Sequence, residues 1–310
     1  MAADEQFIDE MREKYGARSV DNALRLNPDD FEEMIEWRNA LDPHYTKLWL
    51  DYTYGGLFAR GVLDDRTRLL VAIAQLVAIS DLEGVEANIR AALGQGATPR
   101  EVLEVILQAG TYVGMPKVVP AARAFRRIIT EVGRIDEITS TQLPLDGRNS
   151  ERSLDAERST WNIPEEDFPQ REEFFERYGW EGISAGLRLQ PTHHVEGVTN
   201  LDRIDQHFLK RWLDLIYGGL YVRGVLDDKT RILCMVGICT VTDEHHQNYN
   251  HLRAALMFGA TPREVLEVTI QSTIYGGMPR SLRAMRMLMG ILEHRGRAHE
   301  ITETQLSLDL

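Results

Sequence analysis

Thiol chemistry is the first thing this chain has no means to run. Its 310 residues include two cysteines, Cys234 and Cys239, and no Cys-x-x-Cys pair. Both lie in an apolar stretch and read as buried thiols, which excludes a disulfide framework. Positive charge is also in deficit, with 35 Lys and Arg against 48 Asp and Glu for a net charge of −13. An acidic surface repels phosphate backbones, so nucleic acid is not an expected partner. Long hydrophobic runs are missing too: LLVAIAQLVAI at Leu69–Ile79 is far short of the roughly 20 apolar residues that cross a bilayer. No membrane partner is expected. The opening MAADEQFIDE lacks the apolar core of a signal peptide, which makes a cytoplasmic location the expectation. There is no GxGxxG, P-loop, GxSxG or HExxH motif, so neither a cofactor nor a metal is expected.

What is present is one domain written twice. Tyr15–Asp146 aligns with Tyr178–Asp309 at a constant offset of 163, without a gap. RGVLDD occurs at Arg60–Asp65 and Arg223–Asp228, and GATPREVLEV at Gly96–Val105 and Gly259–Val268. Two copies of this length mean duplication of a whole domain rather than a solenoid. The expected organisation is a first domain at 1–147, a polar, serine-rich linker at 148–168 and a second domain at 169–310.

Within each copy the pattern is helical, and no alternating strand pattern stands out. Tyr45–Ala59 carries apolar residues near a 3.6 period. Asp64 or Asp65 can cap the helix that runs to about Ile79. Another helix, over Glu86–Leu93, stops at Gly96, a suitable C′ glycine. Thr98, Pro99 and Glu101 spell a capping box for a helix to Tyr112, repeated by Thr261, Pro262 and Glu264. Gly114-Met115-Pro116 breaks the chain before a last helix over Lys117–Val132. The class is all-α.

The copies differ most in histidine. Eight of nine histidines belong to copy two or its extension, and His251 stands where copy one has Asn88. His251, Gln247 and Glu244 are spaced by four and seven residues, which lines them up on one helix face. Such a line can supply a general acid with an orienting partner, and imidazole suits the task near neutral pH. The competing reading is a histidine bonded within the core. His245-His246 and His193-His194 read as surface pairs, the latter in a loop. Arg223 and Arg231, like Arg60 and Arg68, flank the long apolar helix. They can hold a carboxylate bidentately or pair with acidic neighbours such as Asp64 and Asp65. Tyr217 before Gly-Gly, and Tyr112 and Tyr275 before the Gly-Met-Pro breaks, can donate to a carbonyl or pack with a wet tip.

These stretches resemble the carboxymuconolactone decarboxylase family, a relative of the AhpD-type alkylhydroperoxidases. The likeness rests on YGGLFARGVLDDRTRLLVAIAQL, on RAALGQGATPREVLEVILQAGTYVGMP and on RAALMFGATPREVLEVTIQSTIYGGMP, and covers nearly all of both copies. It implies two tandem all-α domains packed as a pseudo-twofold fused dimer, and a homo-oligomer in which three chains imitate a hexamer. The AhpD branch uses a CxxCxxxH helix, but here Glu244 and Gln247 stand at the cysteine positions ahead of His251, and Asp81 and Gly84 ahead of Asn88. A thiol peroxidase is therefore disfavoured. That family's glutamate on the preceding helix is replaced by Leu69 and Ile232.

The resulting expectation is a cofactor-free, decarboxylase-like lyase acting through an enolate on a small carboxylated lactone or β-keto acid. His251 is the expected general acid/base, oriented by Gln247 or Glu244, with Tyr217 or Tyr275 on the enolate oxygen. Arg223 and Arg231 would grip the substrate, and Trp212 and Met278 would wall an apolar pocket, with Asn88 contributed across the boundary between copies. Isomerisation, lactone hydrolysis or cyclisation would use the same parts. A ligand-binding pseudoenzyme is the rival from another class, and metal chemistry at Glu244, His245, His246 and His251 a third reading.

Overall fold

The computed structural model describes residues 4–143, 158, 161 and 163–308. Most of the expected linker lies outside them. In copy one the helices are α1 Glu5–Tyr15, α2 Ala17–Leu26, α3 Phe31–Leu41, α4 Pro43–Leu50, α5 Asp65–Ile79, α6 Leu82–Gly94, α7 Pro99–Val113, α8 Met115–Glu131 and α9 Ile135–Thr139. Copy two repeats them as α10 Arg171–Tyr178, α11 Trp180–Leu189, α12 Pro191–Ile204, α13 Gln206–Leu215, α14 Asp228–Thr242, α15 His245–Met257, α16 Pro262–Gly276, α17 Met278–His294 and α18 His299–Thr302. No strand occurs among the described residues.

The local code acts as its chemistry requires. The Asp64 side chain accepts from Thr67 N–H at the start of α5, and Asp227 accepts from Thr230 N–H at the start of α14. Both capping boxes are complete, Thr98 with Glu101 and Thr261 with Glu264. One expected helix differs. Tyr45–Ala59 begins as α4 but widens into a π-helix over Asp51–Leu57, and Ile216–Leu220 does the same in copy two. The Tyr-Gly-Gly sequence permits this. A Cβ on Gly55 would lie 2.3 Å from Ser19 Oγ, and one on Gly219 would lie 2.5 Å from the Asp214 carbonyl oxygen. The wider turn carries Tyr54 and Tyr217 inward, where both are buried.

α5 and α14 are buried on nearly every side and mostly apolar, as helices at the centre of a molecule must be, and they pack against each other. Leu69–Ala78 is buried without interruption. Cys234 and Cys239 are buried on α14, and burial pushes the Cys234 thiol up to about 12.

Two carboxylates bind the copies together. Glu267 is fully buried on α16 and takes Arg68 Nη2 at 2.9 Å and Arg60 Nε at 2.9 Å, both from copy one. Glu104 on α7 takes Arg231 Nη2 at 3.2 Å and Arg223 Nε at 3.1 Å from copy two. Amides close each latch: Gln271 Nε2 donates to the Arg68 carbonyl at 3.1 Å, and Gln108 Nε2 donates to the Arg231 carbonyl at 3.0 Å. Arg60, Arg68, Arg223 and Arg231 therefore pair with acidic groups, but across the copies rather than with Asp64 or Asp65. Their guanidiniums are committed to Glu267 and Glu104, which corrects the expectation that Arg223 and Arg231 grip a substrate.

Removing one member of such a buried pair leaves a desolvated charge, a cost of about 3–5 kcal/mol. Glu267→Ala is expected to lower unfolding stability in urea by that amount. Glu131→Ala at the surface, where Arg90 and Arg127 are the partners, should change it little. Equal effects from the two variants would refute the latch.

Candidate functional site

Around His251 the side chains close on one another. The imidazole is fully buried. Gln190 Nε2 donates to its Nδ1 at 2.6 Å, which leaves Nε2–H to donate to the Tyr112 hydroxyl at 2.8 Å. Tyr112 comes from copy one and also packs edge-on to the ring, with centroids 5.5 Å apart. Burial lowers the His251 pKa to about 3. A neutral ring with both nitrogens bonded is a poor general acid at neutral pH, since an efficient one titrates near the working pH.

The other residues predicted for this site are spread out. Gln247 is not a hydrogen-bond partner of His251; its Nε2 meets His193 Nε2 at 3.0 Å. Glu244 caps α15 at the backbone level. The orienting group is instead Gln190, 61 residues away in the chain, a pairing that helix periodicity does not reveal. Met278 is half-exposed at 48 %. Tyr217 and Trp212 surround His194, with centroids 4.5 and 6.1 Å from its ring. His194 is not at the surface as its sequence suggests: it lies on α12 and is fully buried. Its room comes from Gly186, where a Cβ would lie 2.0 Å from the imidazole.

Copy one keeps the space that copy two has filled. A cleft of about 740 Å³ opens there, bordered by α3, the π-turn, α6 and the end of α16. Phe58, Leu69 and Leu76 form its apolar wall, and Asn88 faces it. Tyr275 enters from copy two, as Tyr112 enters the other half. Two differences account for the opening. Asn27 replaces Gln190 and is one methylene shorter; it donates to the Tyr54 hydroxyl at 3.0 Å and does not close on Asn88. Asn88 turns its own amide to the Gly84 carbonyl at 2.9 Å. The Tyr275 hydroxyl has no hydrogen-bond partner among the described residues. Burial raises the pKa of both phenols, that of Tyr54 to about 12, so each remains a protonated donor.

Two cations line this cleft, Arg90, which pairs with Glu131, and Arg38, which sequence reading missed. Arg38 Nη1 donates to the Met34 carbonyl at 2.7 Å, and the guanidinium lies 4.1 Å from the Trp37 ring centroid and 3.9 Å from that of Trp49. No carboxylate pairs with it among the described residues, and desolvation lowers its pKa. The same comparison of copies that exposed His251 shows Leu201 at the matching position, a signal available from sequence alone. Asp30, Glu33, Asp81 and Glu83 make the rim acidic.

The buried imidazole has a consequence for stability. Protonation of His251 is disfavoured in the folded state relative to the unfolded value of 6.5. The unfolded chain therefore binds more protons below pH 6.5, and stability falls with acid from there toward pH 3. The slope approaches about 1.4 kcal/mol per pH unit for one proton. His251→Asn, the residue of copy one, is expected to flatten the urea-midpoint profile between pH 6 and 4; an unchanged slope would show that the ring titrates normally.

Comparisons with known proteins place this geometry in context. The model of the carboxymuconolactone decarboxylase family matches residues 43–127 and again 206–289. A 15.0 kDa protein of Paracoccus denitrificans is 33 % identical over 81 residues, 26 % of this chain and 60 % of its own length, so the chain spans less than two thirds of that relative. The 4-carboxymuconolactone decarboxylase of Acinetobacter baylyi is 27 % identical over 121 residues, 39 % of this chain and 90 % of the enzyme.

Proposed function

Because the chain belongs to the carboxymuconolactone decarboxylase family, we propose that it is a decarboxylase-like, cofactor-free lyase whose substrate occupies the copy-one cleft rather than the surroundings of His251. The substrate class is a small carboxylated lactone or β-keto acid. The observation that carries the reading is the Tyr275 hydroxyl, without a hydrogen bond among the described residues and presented by copy two to a cleft that also holds Arg38, which has no carboxylate salt bridge among those residues.

Arg38 holds a carboxylate or ring oxygen of the substrate and fixes its orientation. The departing carboxylate faces Phe58, Leu69 and Leu76, where poor solvation favours its loss as neutral CO2. As the carbon–carbon bond breaks, its electron pair moves into the neighbouring carbonyl. Tyr275 stabilises the resulting enolate oxygen by donating its O–H. Asn88 offers its carbonyl oxygen to a substrate hydroxyl. Water at the open mouth returns a proton to carbon. Isomerisation, lactone hydrolysis and ring closure pass through related oxyanions and remain within this machinery. Assembly of three chains belongs to the same reading, with exposed Ile204, Phe208 and Leu215 as contact surface.

A second reading has its own support. The carboxylates of Asp30, Glu33, Asp81, Glu83 and Glu86 along the cleft suit a cationic ligand bound without turnover. The experiment measures CO2 release from 4-carboxymuconolactone and simpler β-keto acids in D2O. Tyr275→Phe and Arg38→Ala are expected to lower kcat/KM by about 10²-fold or more, with deuterium entering the product carbon. His251→Asn should retain turnover. Loss of turnover with His251→Asn alone would return the chemistry to copy two. Binding of amines without any CO2 release would favour the second reading.

A further inference from the structure

We infer that copy two carries a binding site for a zinc-class divalent cation at its surface, formed by His193 and Glu196 on α12 and His246 on α15. The ligand atoms of these three side chains all lie within 4.8 Å of one another. His193 Nδ1 and His246 Nε2 face each other at 3.3 Å. Two nitrogens bound to one tetrahedral zinc at about 2.0–2.1 Å are separated by about 3.3 Å, so these imidazoles already stand at the spacing of one edge of a coordination tetrahedron. Without a cation the two ring nitrogens have one proton to share; with one, both lone pairs are used.

The backbone makes the arrangement more than a chance cluster. His193 and Glu196 are three residues apart on α12, which puts them on one face. His246 comes from a different helix and closes the triangle. A further group sits behind the ligands. Gln247 meets His193 on its other nitrogen, Nε2, at 3.0 Å. Turning this amide so that its oxygen accepts would place the His193 proton on Nε2 and leave Nδ1 for a metal. Glu196 and His246 are exposed and His193 is half-buried, so an ion enters from solvent and retains open positions for water.

The duplication supplies the contrast. The matching positions of copy one are Asp30, Glu33 and Glu83, an all-oxygen set suited to hard cations. Two imidazoles and a carboxylate suit zinc, cobalt(II) or nickel(II). The group differs from the one suggested by sequence spacing: His251 is enclosed by Gln190 and Tyr112, and His245 turns to Asp243 at 3.3 Å.

The test is equilibrium dialysis of the full, tag-free chain against micromolar Zn²⁺ with metal analysis, together with visible spectra after Co²⁺ addition. The wild type is expected to hold close to one zinc per chain and to give the intense cobalt bands of a four- or five-coordinate site with nitrogen ligands. The double variant His193→Ala/His246→Ala should lose both signals, Glu196→Gln should bind at least ten-fold more weakly, and His245→Ala should bind as the wild type does. The proposal is overturned if the wild type retains less than a tenth of an equivalent, if the double variant binds as well as the wild type, or if Co²⁺ shows only the weak spectrum of the hexaaquo ion.

Discussion

A buried carboxylate shared by two guanidiniums of the other copy is the constraint on which the rest of this molecule depends. Glu104 and Glu267 each accept this arrangement with no exposure to solvent. Neither charge is tolerable alone in the interior, so the ionised groups of one copy demand the other copy in place. Each glutamate also lies eight residues before a tyrosine on the same helix, Glu104 before Tyr112 and Glu267 before Tyr275. Two turns of helix are rigid over that distance, about 12 Å. The latch therefore sets where each phenol enters the opposite copy. Tyr112 reaches His251 and Tyr275 reaches the copy-one cleft because the charges near the start of their helices are held.

Fusion of the two copies in one chain frees them to differ. In a symmetric dimer every substitution appears in both sites; here each half changes alone. The latch residues and the caps of α5 and α7 recur in copy two at α14 and α16, since both rest on the same packing. The linings have diverged in compensating sets. His194 takes the place of Phe31 and finds its room over Gly186, which stands for Ala23. Gln190 takes the place of Asn27 and spans to His251. One half has become a packed interior with a few internal hydrogen bonds, while the other has an open cleft into which the Tyr275 hydroxyl projects without a hydrogen bond among the described residues.

Much of the fold was legible because helix signals are local. Asp64, Thr98 and Glu101 act within three residues of themselves, and the apolar run of α5 announces a central helix without reference to any partner. The site was far less legible. A histidine on the expected helix face says nothing of Gln190, which reaches it from another helix, and spacing alone favoured Gln247. The arginines flanking α5 and α14 have the same sequence appearance whether they grip a ligand or a distant carboxylate; only the cross-copy contact to Glu104 and Glu267 decides. His194 beside His193 reads as half of a polar pair, yet a helix turns adjacent residues by about 100°, enough to send one to the surface and its neighbour into the core.

Solvation, more than residue type, separates the two halves chemically. Imidazole is the versatile proton carrier of neutral solution, but a dry and fully bonded ring loses that property, and His251 is held near a pKa of 3. A phenol is a weak acid everywhere, and burial makes it weaker. That is a gain for a group required to donate a hydrogen bond and keep its proton. Tyr275, with its ordinary pKa raised and its hydroxyl unbonded, is better prepared to meet a developing oxyanion than His251 is to exchange a proton. The half that carries the imidazole is thus the less suited to proton exchange, because packing and two hydrogen bonds hold that ring neutral and enclosed.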